Sequence, residues 1–71
     1  MRIGETIKCL RKNLHMTQKE FAISLESSQT AISEYESGVK TPSLRVAQRI
    51  LRLAKSNRVK LTLDDIFQDE H

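Results

Sequence analysis

Apolar side chains recur along this chain at intervals of three and four, and no long run alternates every second residue. The first spacing puts apolar groups on one side of a helix, whereas alternation would mark a strand. Ile3, Ile7, Leu10, Arg11 and Leu14 define the inner face of a first helix, Gly4 to about Asn13, and His15-Met16 forms a short connection. Thr17-Gln18-Lys19-Glu20 has the S/T-x-x-E pattern in which hydroxyl and carboxylate exchange backbone hydrogen bonds at a helix start. It opens a second helix, Gln18 to Leu25, with Phe21, Ala22 and Leu25 inward.

Ser27 or Ser28 can cap a third helix, Gln29 to Glu36, which buries Ile32 and Tyr35. Ser37-Gly38 ends it, because glycine tolerates the positive φ of a helix terminus. Pro42 keeps Thr41 out of helical geometry, and Ser43 caps a fourth helix with the stripe Leu44, Ala47, Ile50, Leu51 and Ala54. Lys55 to Lys60 reads as a basic connection. Thr62 caps a last helix, Leu63 to about Gln68, burying Leu63, Ile66 and Phe67. The fold class is therefore all-α, five short helices around a core whose size leaves a thin stability margin.

At 71 residues the chain is predicted to be one domain, residues 1–71. Cys9 is the only cysteine, so no intramolecular disulfide can form, and His15 and His71 lack metal-ligand spacing. No metal and no cofactor is expected. The start Met1-Arg2-Ile3-Gly4-Glu5 has no signal-peptide character, and no apolar run is long enough to span a membrane. A reducing cytoplasmic setting is the expectation. The net charge is +3, but residues 39–60 carry seven basic side chains and no acidic one, while residues 61–71 carry four acidic ones. A local basic field of this kind attracts phosphate. The Asp64-Asp65 pair is read as a partner of the last helix's positive end rather than as catalytic acids. With no nucleophile–base pair and no glycine-rich phosphate loop, no catalytic residue is assigned and no enzyme activity is expected.

Residues 17–37 meet the demands of a helix-turn-helix. Ala22 is the small residue where the two helices cross, and Leu25 and Ile32 supply the apolar inner positions. The start of the third helix, which points at base edges in such motifs, is polar at Gln29, Thr30 and Ser33, with Glu34 on the same side. Gln favours adenine through N6 and N7, Thr can touch a thymine methyl, and Glu can accept from cytosine N4.

The run TQKEFAISLESSQTAISEYESGVKTPS resembles the Xre family of regulators, which includes lambda-type repressors and Cro proteins. The likeness extends from about Ile7 to Phe67. It implies a lambda-repressor-like five-helix domain that binds double-stranded operator DNA. It implies base reading by Gln29, Thr30, Ser33 and Glu34, and phosphate contacts by Gln18 and Lys40. Lys19, Ser28 and Arg45 are the further phosphate candidates, Arg45 because it lies at the capped start of the fourth helix. Arg49 and Arg52 are read as a solvated basic face. Arg11 and Glu36 match a family ion pair that ties the first helix to the end of the third; Ala22 and Gly38 are structural.

Two departures stand out. Glu26 occupies the turn position where the family usually has glycine, and a positive φ there costs about 1 kcal/mol or more. The segment AKSNRVKL is longer and more basic than the family's loop. Two function classes follow. One is a Cro-like repressor, bound as a homodimer to a two-fold symmetric operator. The other is an antitoxin or protein-interaction module that docks on a partner through the acidic C-terminal end, residues 61–71, with or without control of its own operon.

Overall fold

The computed structural model describes residues 3–67, with Phe67 described in its backbone only. Five helices follow one another: α1 (Ile3–Asn13), α2 (Gln18–Ser24), α3 (Gln29–Ser37), α4 (Leu44–Ser56) and α5 (Leu63–Phe67). No strand occurs among the described residues. The caps explain the starts. Thr17 accepts the Glu20 N–H while the Glu20 carboxylate accepts the Thr17 N–H, completing the reciprocal cap expected of α2. Ser28, rather than Ser27, caps α3 by accepting the Ala31 N–H, and Ser43 caps α4 through Val46. At α5 the Thr62 N–H donates to the Asp65 carboxylate at 2.9 Å, so Asp65 belongs to a cap.

The core is shared by all five helices. Phe21, Ile7, Leu25, Ile32, Ile50 and Ile66 are its largest fully buried side chains, joined by Leu10, Ala22, Tyr35, Ala47 and Ala54. Gly4 matters for a specific reason: a Cβ there would stand 2.6 Å from the carbonyl oxygen of Glu36 and 2.7 Å from that of Tyr35. The missing side chain lets α1 press directly on the backbone of the last turn of α3.

Several expectations need correction. Leu44 is exposed, because the start of α4 packs on the core through Val46 and Ala47 instead, and Leu63 at the start of α5 is also exposed. α4 continues through Lys55 to Ser56, since Ala54 is buried and the last turn forms around it; Asn57 is its C-cap. Leu25 is the C-cap of α2 rather than its last helical residue, and α3 gains Ser37. The expected end of α5 at Gln68 and the burial of Phe67 lie outside what is described.

The helix ends share one device. Gly38 follows α3 with φ 84°, but His15, Glu26 and Arg58 adopt φ 57°, 55° and 60° after α1, α2 and α4. In each case the next residue's N–H turns back to a carbonyl of the final helical turn: Met16 to Arg11, Ser27 to Ala22, Val59 to Ala54 and Val39 to Glu34. This is the left-handed C-terminal cap that glycine usually supplies. Here three ordinary side chains occupy it. The cost suspected at Glu26 is therefore present.

Candidate nucleic-acid interface

α3 has two unlike sides. Ile32 and Tyr35 are buried, whereas Gln29, Thr30 and Ser33 are exposed and Glu34 is half-buried. These four polar positions are spaced one, three and one apart, which puts them on one face of a helix. Gln18, from the first turn of α2, joins these four in lining a shallow, open concavity. The structure thus brings together five of the residues singled out from the sequence, four on one helix and one on its neighbour.

The remaining candidates surround or support this face. Lys40, at 63% side-chain exposure, lies with its ammonium 3.4 Å from the Glu34 carboxylate. The N–H groups of Val39 and Lys40 both donate to the Glu34 carbonyl, at 2.9 and 3.1 Å, which folds the loop back over the end of α3. Ser28 is exposed and its hydroxyl is engaged in the α3 cap. Lys19 and Arg45 are exposed and do not line the concavity.

Beneath the face lies a charged anchor. Arg11 Nε donates to Glu36 Oε2 at 2.6 Å and Nη2 donates to Oε1 at 3.1 Å, a two-pronged pair. Arg11 Nη1 also donates to the Met16 carbonyl at 2.9 Å, which fixes the connection leading into α2. The Glu36 hydrogen bond raises the Arg11 pKa above the ordinary arginine value, against the opposing effect of burial, with the carboxylate's charge adding to the rise. Gln18 Nε2 donates to Glu36 Oε1 at 3.1 Å. One carboxylate at the end of α3 therefore orients both α1 and the first side chain of α2, leaving the Gln18 amide oxygen outside this bond.

Arg49 is the residue whose role the sequence did not disclose. Instead of belonging to a wholly solvated face, it donates through Nη1 to the Leu25 carbonyl at 3.2 Å and pairs through Nη2 with Glu26 at 3.6 Å. It secures the turn between α2 and α3. The available signal was its place beside Ala47 and Ile50, where a long side chain can lie along the core edge and carry its charge outward.

A buried small residue in the first helix, Ala22, an apolar underside and a polar, outward-facing second helix are the features of a helix-turn-helix. A family model described as helix-turn-helix matches residues 7–57. The chain belongs to the helix-turn-helix family of the Xre, lambda-repressor and Cro type. No curated protein and no solved structure matches it. This helix-turn-helix protein is a DNA-binding transcription regulator, and α2 and α3 form its defining pair. No helix among the described residues is long and apolar enough to cross a membrane. Among the same residues, no group of three His, Cys, Asp or Glu side chains is arranged to hold a metal ion.

Proposed function

We propose that this regulator is a Cro-like repressor that binds a two-fold symmetric operator as a homodimer, in the bacterial cytoplasm, by binding alone and without catalysis. Each copy inserts α3 into a major groove, with half-sites about 34 Å apart. Gln29, Thr30, Ser33 and Glu34 face base edges, while Gln18, Lys19, Ser28, Lys40 and Arg45 hold the flanking phosphates. The observation that carries this reading is the shared concavity of Gln18 with the four polar residues of α3. Occupying a promoter in this way blocks polymerase.

The test is selection from random DNA duplexes with the natural protein and with Gln29→Ala, each at two salt concentrations. The natural protein is expected to enrich a two-fold symmetric site, with affinity falling steeply as salt rises. Gln29→Ala is expected to relax one position in each half-site by about 1–3 kcal/mol. Weak, sequence-blind binding at both salts overturns the operator reading and redirects the search to a protein partner.

A further inference from the structure

Among the described residues, Glu34 is the only acidic side chain lining the concavity, and it carries a cation with it. Lys40 is tied to Glu34 twice. Its backbone N–H donates to the Glu34 carbonyl at 3.1 Å, and its ammonium stands 3.4 Å from the Glu34 carboxylate. Both side chains remain accessible, at 63% and 35% exposure. An unaccompanied carboxylate facing DNA is repelled by phosphate. A carboxylate beside an ammonium is instead a neutral unit with an acceptor and a donor side by side.

We infer that Lys40 and Glu34 together read one G·C base pair, the carboxylate accepting from cytosine N4 and the ammonium donating to guanine O6. The inference rests on the operator reading above and assigns Lys40 a base-reading role beyond its phosphate role. The chemistry favours G·C over A·T. In the major groove guanine presents two acceptors, O6 and N7, next to the cytosine amino donor. The ammonium has three donors and can satisfy either guanine acceptor. An adenine amino group also offers a donor, but its neighbour N7 is an acceptor that repels the second carboxylate oxygen. The thymine methyl on the other side of that pair crowds an ammonium reaching for O4.

The pair's tie to the last turn of α3 gives it a second use. The loop bonds hold the Lys40 backbone close to Glu34 before DNA arrives, so the docking unit needs little ordering on binding.

The experiment is duplex selection with the natural protein, Lys40→Met and Glu34→Gln, followed by affinity and salt-slope measurements on the selected site and its single-base variants. Lys40→Met is expected to lower the preference for G·C about tenfold at one position per half-site, and Glu34→Gln to convert that same position to A·T. Circular dichroism melting of each variant checks that the fold is retained. If Lys40→Met weakens every duplex by one common factor and leaves the G·C preference intact, Lys40 holds phosphate only and the inference falls while the operator reading stands. The inference also falls if the two substitutions alter different positions. If the natural protein enriches no symmetric site, both fall together.

Discussion

Arg49 on α4 clasps the turn at Glu26, its guanidinium bonded to the Leu25 carbonyl at 3.2 Å and paired with the Glu26 carboxylate at 3.6 Å. Glu26 is the residue forced to φ 55°. The clasp therefore acts where backbone strain is stored, and it joins the turn before α3 to a helix outside the helix-turn-helix pair. Arg49→Ala is expected to destabilise the protein by about 1 kcal/mol, through the lost hydrogen bond to a carbonyl. The Glu26 carboxylate is largely exposed, so its ion pair adds little. Thermal melting of Arg49→Ala beside Glu26→Gln separates the two contributions: only the arginine variant should lose stability clearly.

The left-handed caps predict gains as well as losses. Glu26→Gly and Arg58→Gly each remove a side chain from a conformation that costs an L-residue about 1 kcal/mol, partly offset by the greater freedom of glycine in the unfolded chain. Each is expected to raise Tm by a few degrees, since about 1 kcal/mol corresponds to roughly 4–8 °C in a domain of this size. The opposite substitution, Gly38→Ala, is expected to lower Tm, even though the space around that Cα is open, because φ 84° alone strains an alanine.

At Gly4 the obstacle is contact rather than dihedral strain. The Cβ of Gly4→Ala would meet two backbone oxygens of α3 at 2.6 and 2.7 Å, and backbone cannot rotate aside as a side chain can. A loss of about 1–3 kcal/mol is expected in denaturant unfolding. An unchanged midpoint would mean that α1 does not sit this close to α3.

The Arg11–Glu36 pair is mostly sheltered, at 13% and 5% side-chain exposure. Removing one partner leaves the other charge in poor company, so Glu36→Ala is expected to cost about 3 kcal/mol. Arg11→Lys should lose much of the same stability, because an ammonium cannot make the forked contact. A raised Arg11 pKa means that its contribution is complete below the ordinary arginine value and is lost only as pH rises through the raised one. Melting curves of the natural protein and Glu36→Ala should accordingly differ by a constant amount across neutral and mildly alkaline pH, with no step attributable to Arg11.

For DNA binding, Arg45→Ala is expected to weaken all sequences alike and to reduce the slope of log affinity against log salt by about one. A change confined to one base position would instead make Arg45 a base reader.

Much of the fold was legible because helix periodicity and caps are local. The spacing of Ile7 and Leu10, or the Thr17–Glu20 exchange, depends on residues a few positions apart. The candidate face was legible for the same reason, since Gln29, Thr30, Ser33 and Glu34 share a side of any helix that buries Ile32 and Tyr35. What escaped depends on distant neighbours. The role of Arg49 requires knowing that α4 passes the end of α2. The exposure of Leu44 and Leu63 requires knowing where the core stops. The left-handed residues at His15 and Arg58 gave no signal because cap glycines are absent there, whereas Glu26 stood out through resemblance to a family that has glycine at that place.

The two-sidedness of α3 has a consequence for change over time and for engineering. Its scaffold contacts run through Ile32, Tyr35 and Glu36, together with the backbone that meets Gly4. Gln29, Thr30 and Ser33 project outward. Those three positions can therefore be exchanged as a cassette, with Glu34 and Lys40 exchanged as a couple, while the supporting architecture is inherited intact. If α3 reads bases as proposed, retargeting to a new DNA address becomes a matter of rewriting a few surface letters, and paralogues built on this frame can diverge in what they recognise long before they diverge in how they fold.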